Sequence, residues 1–74
     1  MSKIEVKSEI TGKVWQIVTK AGDALDEDDD ILILESMKME IPVAAPEDGT
    51  LVEILVAEGD TVEEGQVVAV MEEA

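Results

Sequence analysis

The chain contains two copies of one pattern. Setting Gly12 against Gly49, an offset of 37 residues, lays GKVWQIVTKAGDALDEDDDILILES over GTLVEILVAEGDTVEEGQVVAVMEE without a gap. Six of the 25 pairs are identical: Gly12/Gly49, Ile17/Ile54, Gly22/Gly59, Asp23/Asp60, Glu27/Glu64 and Glu35/Glu72. Others swap like for like, as in Val14/Leu51, Leu25/Val62, Ile31/Val68, Ile33/Val70 and Leu34/Met71. The match extends backward to Ile4/Ile41 and Val6/Val43. A solenoid needs at least about three repeats. Two copies point instead to one domain over 1–74, with half-repeats at about 4–36 and 41–73, each covering the other's apolar face.

Each half reads as strands. β-Branched residues dominate, with punctuation every few residues. Val52, Ile54 and Val56 alternate, as do Ile4 and Val6. Gly22-Asp23 and Gly59-Asp60 mark turns, where Gly takes positive φ and Asp bonds the nearby backbone. Val14 and Ile17 have opposite parity, and so do Leu51 and Ile54. If both members of each pair are core, a β-bulge lies between them in both halves. Asp28 stands where the second half has Gly65; if that site needs positive φ, Asp is less comfortable there than Gly. The predicted strands are 3–8, 12–19, 24–26, 30–36, 39–44, 49–57, 61–63 and 66–72. Eight short strands with no helix-period stretch predict a small sandwich or flattened barrel.

Composition limits what such a barrel can do. Val, Ile and Leu supply 22 of the 74 residues, an aliphatic content that disordered acidic chains lack. Nineteen acidic residues stand against five lysines, for a formal net charge of −14. That charge repels nucleic acid and anionic lipid, and it favours a monomer. With no Cys there is no disulfide framework, zinc ribbon or thiol nucleophile. With no His, the usual general base and the commonest metal ligand are missing. No nucleophile–base pair can be assembled, so the chain is expected not to be an enzyme. No apolar run approaches the length of a membrane span and no secretory segment follows Met1, so a cytoplasmic domain is expected.

The acidic run Asp26-Glu27-Asp28-Asp29-Asp30 has the alternate spacing of a calcium loop's start. The required Gly is Ile31 and the required closing Glu is Met37, so a solvated loop is expected and no metal site.

The seam between the halves reads ILESMKMEIP. Ile31 to Leu34 approach Met37-Lys38 and Ile41 to Val43 leave it, so a short reversal there makes a hairpin with Lys38 at the tip. Hairpin turns normally use Asn, Asp or Gly; this one has a lysine between two methionines. The plainest reading of Met37 and Met39 is a pair of gap-filling side chains packed on the barrel. Glu35 and Glu40 flank them. Nearby carboxylates favour a charged ammonium, whereas a Schiff-base lysine wants desolvation. By its residues alone Lys38 is a poor catalyst and a good handle.

The string Glu35-Ser36-Met37-Lys38-Met39-Glu40 resembles the biotin attachment motif of the biotinyl/lipoyl carrier family. In that family a Met-Lys-Met at a hairpin tip is the biotinylation signal and the central lysine carries biotin in amide linkage. The Gly-x-Val/Leu strand starts, both Gly-Asp turns and the internal two-fold also have counterparts here, from Ile4 to Met71. In length and motif the chain resembles small stand-alone biotin carboxyl carriers of the biotin/lipoyl attachment type. The ungapped match of Gly12–Glu35 to Gly49–Glu72 leaves no room for the inserted thumb of the larger carriers.

The resemblance implies a flattened barrel of two four-stranded antiparallel sheets. It implies that a biotin protein ligase acylates Lys38. The domain then carries carboxybiotin from a biotin carboxylase to a carboxyltransferase, as acyl-CoA, pyruvate and urea carboxylases require. Met37 and Met39 are expected to shape ligase recognition, and Glu35 and Glu40 to deter other ligases. Lipoyl domains typically show Asp-Lys-Ala around the modified lysine, so lipoate on Lys38, serving a 2-oxo acid dehydrogenase or glycine cleavage system, is the lesser alternative. An unmodified interaction module is a third. Trp15, aligned with Val52, is expected to be a partly buried barrel residue rather than a docking contact.

Overall fold

A computed structural model of the chain describes residues 2–74. The described residues form eight strands: β1 (Lys3–Lys7), β2 (Gly12–Ile17), β3 (Ala24–Leu25), β4 (Asp30–Ser36), β5 (Met39–Ala44), β6 (Gly49–Ile54), β7 (Thr61–Val62) and β8 (Val67–Glu73). They make two four-stranded sheets, ordered β1-β8-β6-β3 and β5-β4-β2-β7, with every pairing antiparallel. No helix among them is long and apolar enough to cross a membrane.

The sequence repeat becomes a two-fold at the level of single hydrogen bonds. Adding the offset of 37 residues turns β1 to β4 into β5 to β8, and one sheet into the other. Val14 faces Leu34, and Leu51 faces Met71. The Gly22 N–H donates to the Leu51 carbonyl at 2.7 Å, and the Gly59 N–H to the Val14 carbonyl at 2.8 Å. These bonds cross between the halves, so neither half closes without the other.

Bulges fall where parity required them. The register shifts between Val14 and Gln16, and between Leu51 and Glu53, leaving Trp15 and Val52 as the extra residues. A second bulge in each half leaves Ile31 and Val68 unpaired. It turns two successive side chains inward, so Ile31-Leu32 and Val68-Ala69 are all fully buried. With Val14, Leu34, Leu51, Val62 and Met71 they fill the space between the sheets.

The turns also follow the sequence. Gly22 and Gly59 have φ of 98° and 95°. The Asp23 and Asp60 carboxylates accept the Lys20 and Ala57 N–H groups at 3.0 and 2.9 Å, satisfying backbone that the strands leave unpaired. Asp28 has φ 74° and Gly65 φ 85°, so the Asp does occupy a left-handed position. Residues 26–30 are all exposed, and the Asp29 carboxylate turns back onto the Asp26 N–H at 2.9 Å.

β2 and β6 end sooner than expected, at Ile17 and Ile54 instead of 19 and 57. Beyond the bulge one more bond forms on each side, from the Val18 N–H to the Ile31 carbonyl and from the Leu55 N–H to the Val68 carbonyl. Thr19 then bonds through its side chain, Oγ1 to the Ile31 carbonyl at 2.9 Å, and the chain peels away. Val18 and Leu55 are apolar but 44% and 48% exposed. Their composition reads as strand, while their position is the way into a turn.

Candidate functional site

The hairpin of β4 and β5 closes on the pair Ser36 and Met39, with Met37 and Lys38 as a two-residue loop. Met37 has φ 51° and Lys38 φ 66°. Positive φ at both central residues is a type I′ turn, whose twist matches the strands it joins. Asn-Gly usually fills it. A side chain with a Cβ in the left-handed region costs about 1–2 kcal/mol per residue. The tip therefore holds two residues poorly suited to their backbone, on a hairpin paired along most of its length.

The strain has a geometric result. A two-residue loop puts the Lys38 side chain at the apex, where neither strand covers it, and it is exposed. Met37 is 91% exposed and Met39 62%. The gap-filling expectation for these methionines therefore fails. A tight turn at the end of a narrow sandwich lifts its side chains off the barrel, leaving no core within reach.

Beneath the turn lies a row of outward-facing residues. Glu40 faces Glu35 across β5 and β4, Glu35 faces Lys13 across β4 and β2, and Lys13 faces Thr61 of β7. All four are exposed. Two carboxylates directly opposite each other repel, and Lys13 is their cationic neighbour on the far side. The sequence reading placed Glu35 and Glu40 beside the lysine but missed Lys13. The signal that would have found it is the register of β2 on β4, which the bulge at Trp15 sets.

All five lysines are exposed, so exposure alone does not single out Lys38. Its place in a strained turn between two exposed thioethers does. The site is a projection, not a pocket. A groove of about 380 Å³ between β1 and β5, lined by Val6, Ile10, Ile41 and Val43 among others, does not include Lys38.

Trp15 is 47% exposed, more open than a partly buried barrel residue should be. As the extra residue of the bulge it has no cross-strand partner, so it is held by one strand and stands half in water.

Residues 3–71 match the family described as biotin-requiring enzyme, the biotin/lipoyl family. The chain belongs to the biotin/lipoyl family. It is 44% identical over 62 residues to the biotin/lipoyl attachment protein of Bacillus subtilis, covering 84% of this chain and 85% of that one. Among solved structures, the urea carboxylase of Kluyveromyces lactis superposes with a TM-score of 0.92 at 38% identity, covering 97% of this chain and 6% of that one. The lipoyl domain of the 2-oxoglutarate dehydrogenase complex from Azotobacter vinelandii gives 0.70 at 35% identity, over 85% of this chain and 80% of that domain. As a biotin/lipoyl attachment domain the chain is a carrier module and not itself a catalyst.

Proposed function

We propose that Lys38 is the acylated residue of a biotin carboxyl carrier. The observation that carries this is the turn: an exposed amine at the apex of a type I′ hairpin, between two exposed methionines, in a chain of the biotin/lipoyl family. In the attachment step the Nζ amine attacks the carbonyl carbon of biotinyl adenylate, AMP leaves, and the amine gives up a proton. The step needs an amine that a ligase can surround, which the apex provides. It removes one positive charge from a chain whose formal net charge is −14.

Bound biotin supplies a ring nitrogen that takes up and releases a carboxyl group. The chain's own part is tethering. The β4–β5 hairpin fixes where the arm starts, and the lysine stem supplies its first rotatable bonds. Held this way, a dilute cofactor reaches a high effective concentration at whichever active site the domain visits. Those sites belong to a biotin carboxylase and a carboxyltransferase, and the likeness to a urea carboxylase supports that class of partner. Met37 and Met39 present the apolar surface that the ligase reads, and the facing carboxylates of Glu35 and Glu40 turn other ligases away.

A second reading, lipoate on Lys38, draws on the likeness to a lipoyl domain. The methionines on both sides of Lys38 favour biotin. Incubation with biotin protein ligase, biotin and ATP, and separately with lipoate ligase, lipoate and ATP, followed by intact mass, tests both. One biotinyl group per chain is the expected result. Lipoylation without biotinylation would overturn it.

A further inference from the structure

The chain has four methionines and no cysteine. Of the three among the described residues, Met71 is fully buried in the core, whereas Met37 is 91% exposed and Met39 62%. Met is among the residue types most often found inside, so two such open thioethers call for a reason. Packing is not the reason, since neither covers the barrel. Turn geometry is not the reason for Met37, which occupies φ 51° where Asn or Gly is more comfortable. What is left is what these side chains meet from outside.

A thioether in water is open to peroxides, and here one stands on each side of Lys38. We propose that Met37 and Met39 are reversible oxidation sites whose state decides whether Lys38 is acylated. The inference rests on the reading of Lys38 as a biotin attachment residue. In the reaction the sulfur lone pair attacks one oxygen of a hydroperoxide. The O–O bond breaks as an S–O bond forms, and the proton on the transferred oxygen passes to the departing one. Sulfur is oxidised by two electrons, and the peroxide is reduced to water or an alcohol. Reversal takes a dithiol, which becomes a disulfide while the oxygen leaves as water. This chain has no cysteine, so the dithiol belongs to a separate sulfoxide reductase.

The sulfoxide replaces a flexible apolar group with a polar one. A ligase surface that takes up Met37 and Met39 as apolar side chains must then desolvate two polar S–O groups, which is unfavourable unless they find partners. Met71 is shielded, so the core keeps its sulfide and the barrel survives the chemistry that changes its tip.

The test starts with the unmodified chain in dilute hydrogen peroxide, with tandem mass spectrometry assigning each oxygen gained. Met37 and Met39 should be oxidised at least about tenfold faster than Met71, as exposure dictates. Oxidised and untreated chains then receive biotin protein ligase, biotin and ATP. The oxidised chain should take up biotin at least about tenfold more slowly, and methionine sulfoxide reductase with dithiothreitol should restore the rate. A chain carrying both Met37→Leu and Met39→Leu should keep its own rate after peroxide. The reductase arm decides the matter even where that variant is a poor ligase substrate.

An unchanged rate after full oxidation overturns the proposal. So does Met71 reacting as fast as Met37, or an equal peroxide effect on the leucine variant. An untreated chain that refuses biotin overturns the attachment reading, and the switch with it. An untreated chain that is labelled, beside an oxidised one labelled as fast, overturns the switch alone.

Discussion

The row beneath the Met37-Lys38 turn has a counterpart in the other sheet, and the two carry different charges. Around the turn the sequence across the sheet is Glu40, Glu35, Lys13 and Thr61. In the other sheet the equivalent row is Lys3, Glu72, Thr50 and Ala24. There the facing edge pair is Lys3 and Glu72, opposite in sign. Near the turn it is Glu40 and Glu35, alike in sign. The backbone differs in the same direction. Among the described residues the left-handed ones other than Gly are Asp28 in the first half and Met37 and Lys38 in the seam that follows it, while the equivalent of Asp28 is Gly65. Two halves with one register and one core thus differ in how comfortably they are made. The less comfortable half leads into the exposed lysine. The offset of 37 residues gives Met37 and Lys38 no equivalent turn in the second half, so the strain gathers at one place, and strain of that kind clusters at functional sites.

The largest effect should come from Lys38→Arg, which keeps charge and exposure but removes the amine that can be acylated. Biotin incorporation by intact mass should fall below detection, while the thermal midpoint moves by no more than about 2–4 °C, as for exposed sites generally. Incorporation that persists would move the site elsewhere and dissolve the contrast between the two ends.

Next come the paired core residues. Leu34 and Met71 are equivalent and both fully buried. Leu34→Ala and Met71→Ala should each destabilise the chain by about 2–5 kcal/mol in urea unfolding. Costs within about 1 kcal/mol of each other would sharpen the view that the halves share one core equally. A much larger gap would break it.

Smaller is the effect of relaxing the turn. Met37→Asn puts a residue at the first left-handed position that tolerates it, and should stabilise the fold by up to about 1 kcal/mol. The same variant should take up biotin more slowly, because the ligase loses a methionine. Stability unchanged or lowered would show that the turn is not strained.

The smallest effect belongs to Glu40→Lys, which copies the Lys3–Glu72 arrangement onto the tip. It should add about 0.2–1 kcal/mol at low salt, and less as salt screens the pair. The unaltered chain should itself unfold at higher denaturant in high salt, since its acidic loop and facing carboxylates repel. Midpoints that ignore salt for both proteins would remove charge from the comparison.

Much of this was legible in the residues. The offset of 37 residues carried the two-fold, and the opposite parity of Val14 and Ile17 carried the bulge, because a strand's period of two leaves no other way to bury both. The spans of β4 and β5 followed from apolar runs stopping at a reversal. The strand ends after Ile17 and Ile54 did not, since Val18 and Leu55 look like strand and only the Thr19 and Asp23 bonds reveal that the chain is leaving. At the site, Lys38 and its neighbours were visible as a string. Three things were not. Positive φ at Met37 and Lys38 contradicts their local preference and is imposed by the hairpin. The exposure of the methionines depends on how far the tip stands from the core. Lys13 enters the site only through a register that a bulge shifts.

The barrel is long, 36 Å against 19 and 18 Å across. Lys38 turns at the end where β4 meets β5. Ser2 and Ala74 lie at the other end, where the Glu73 N–H meets the Ser2 carbonyl at 2.9 Å. A bead, a surface or a protein joined at either Ser2 or Ala74 would therefore hold the amine on its far side, facing outward. The two-fold that relates the hairpin to the meeting of the outer strands makes the domain a spacer with its lysine tip and its outer-strand ends apart.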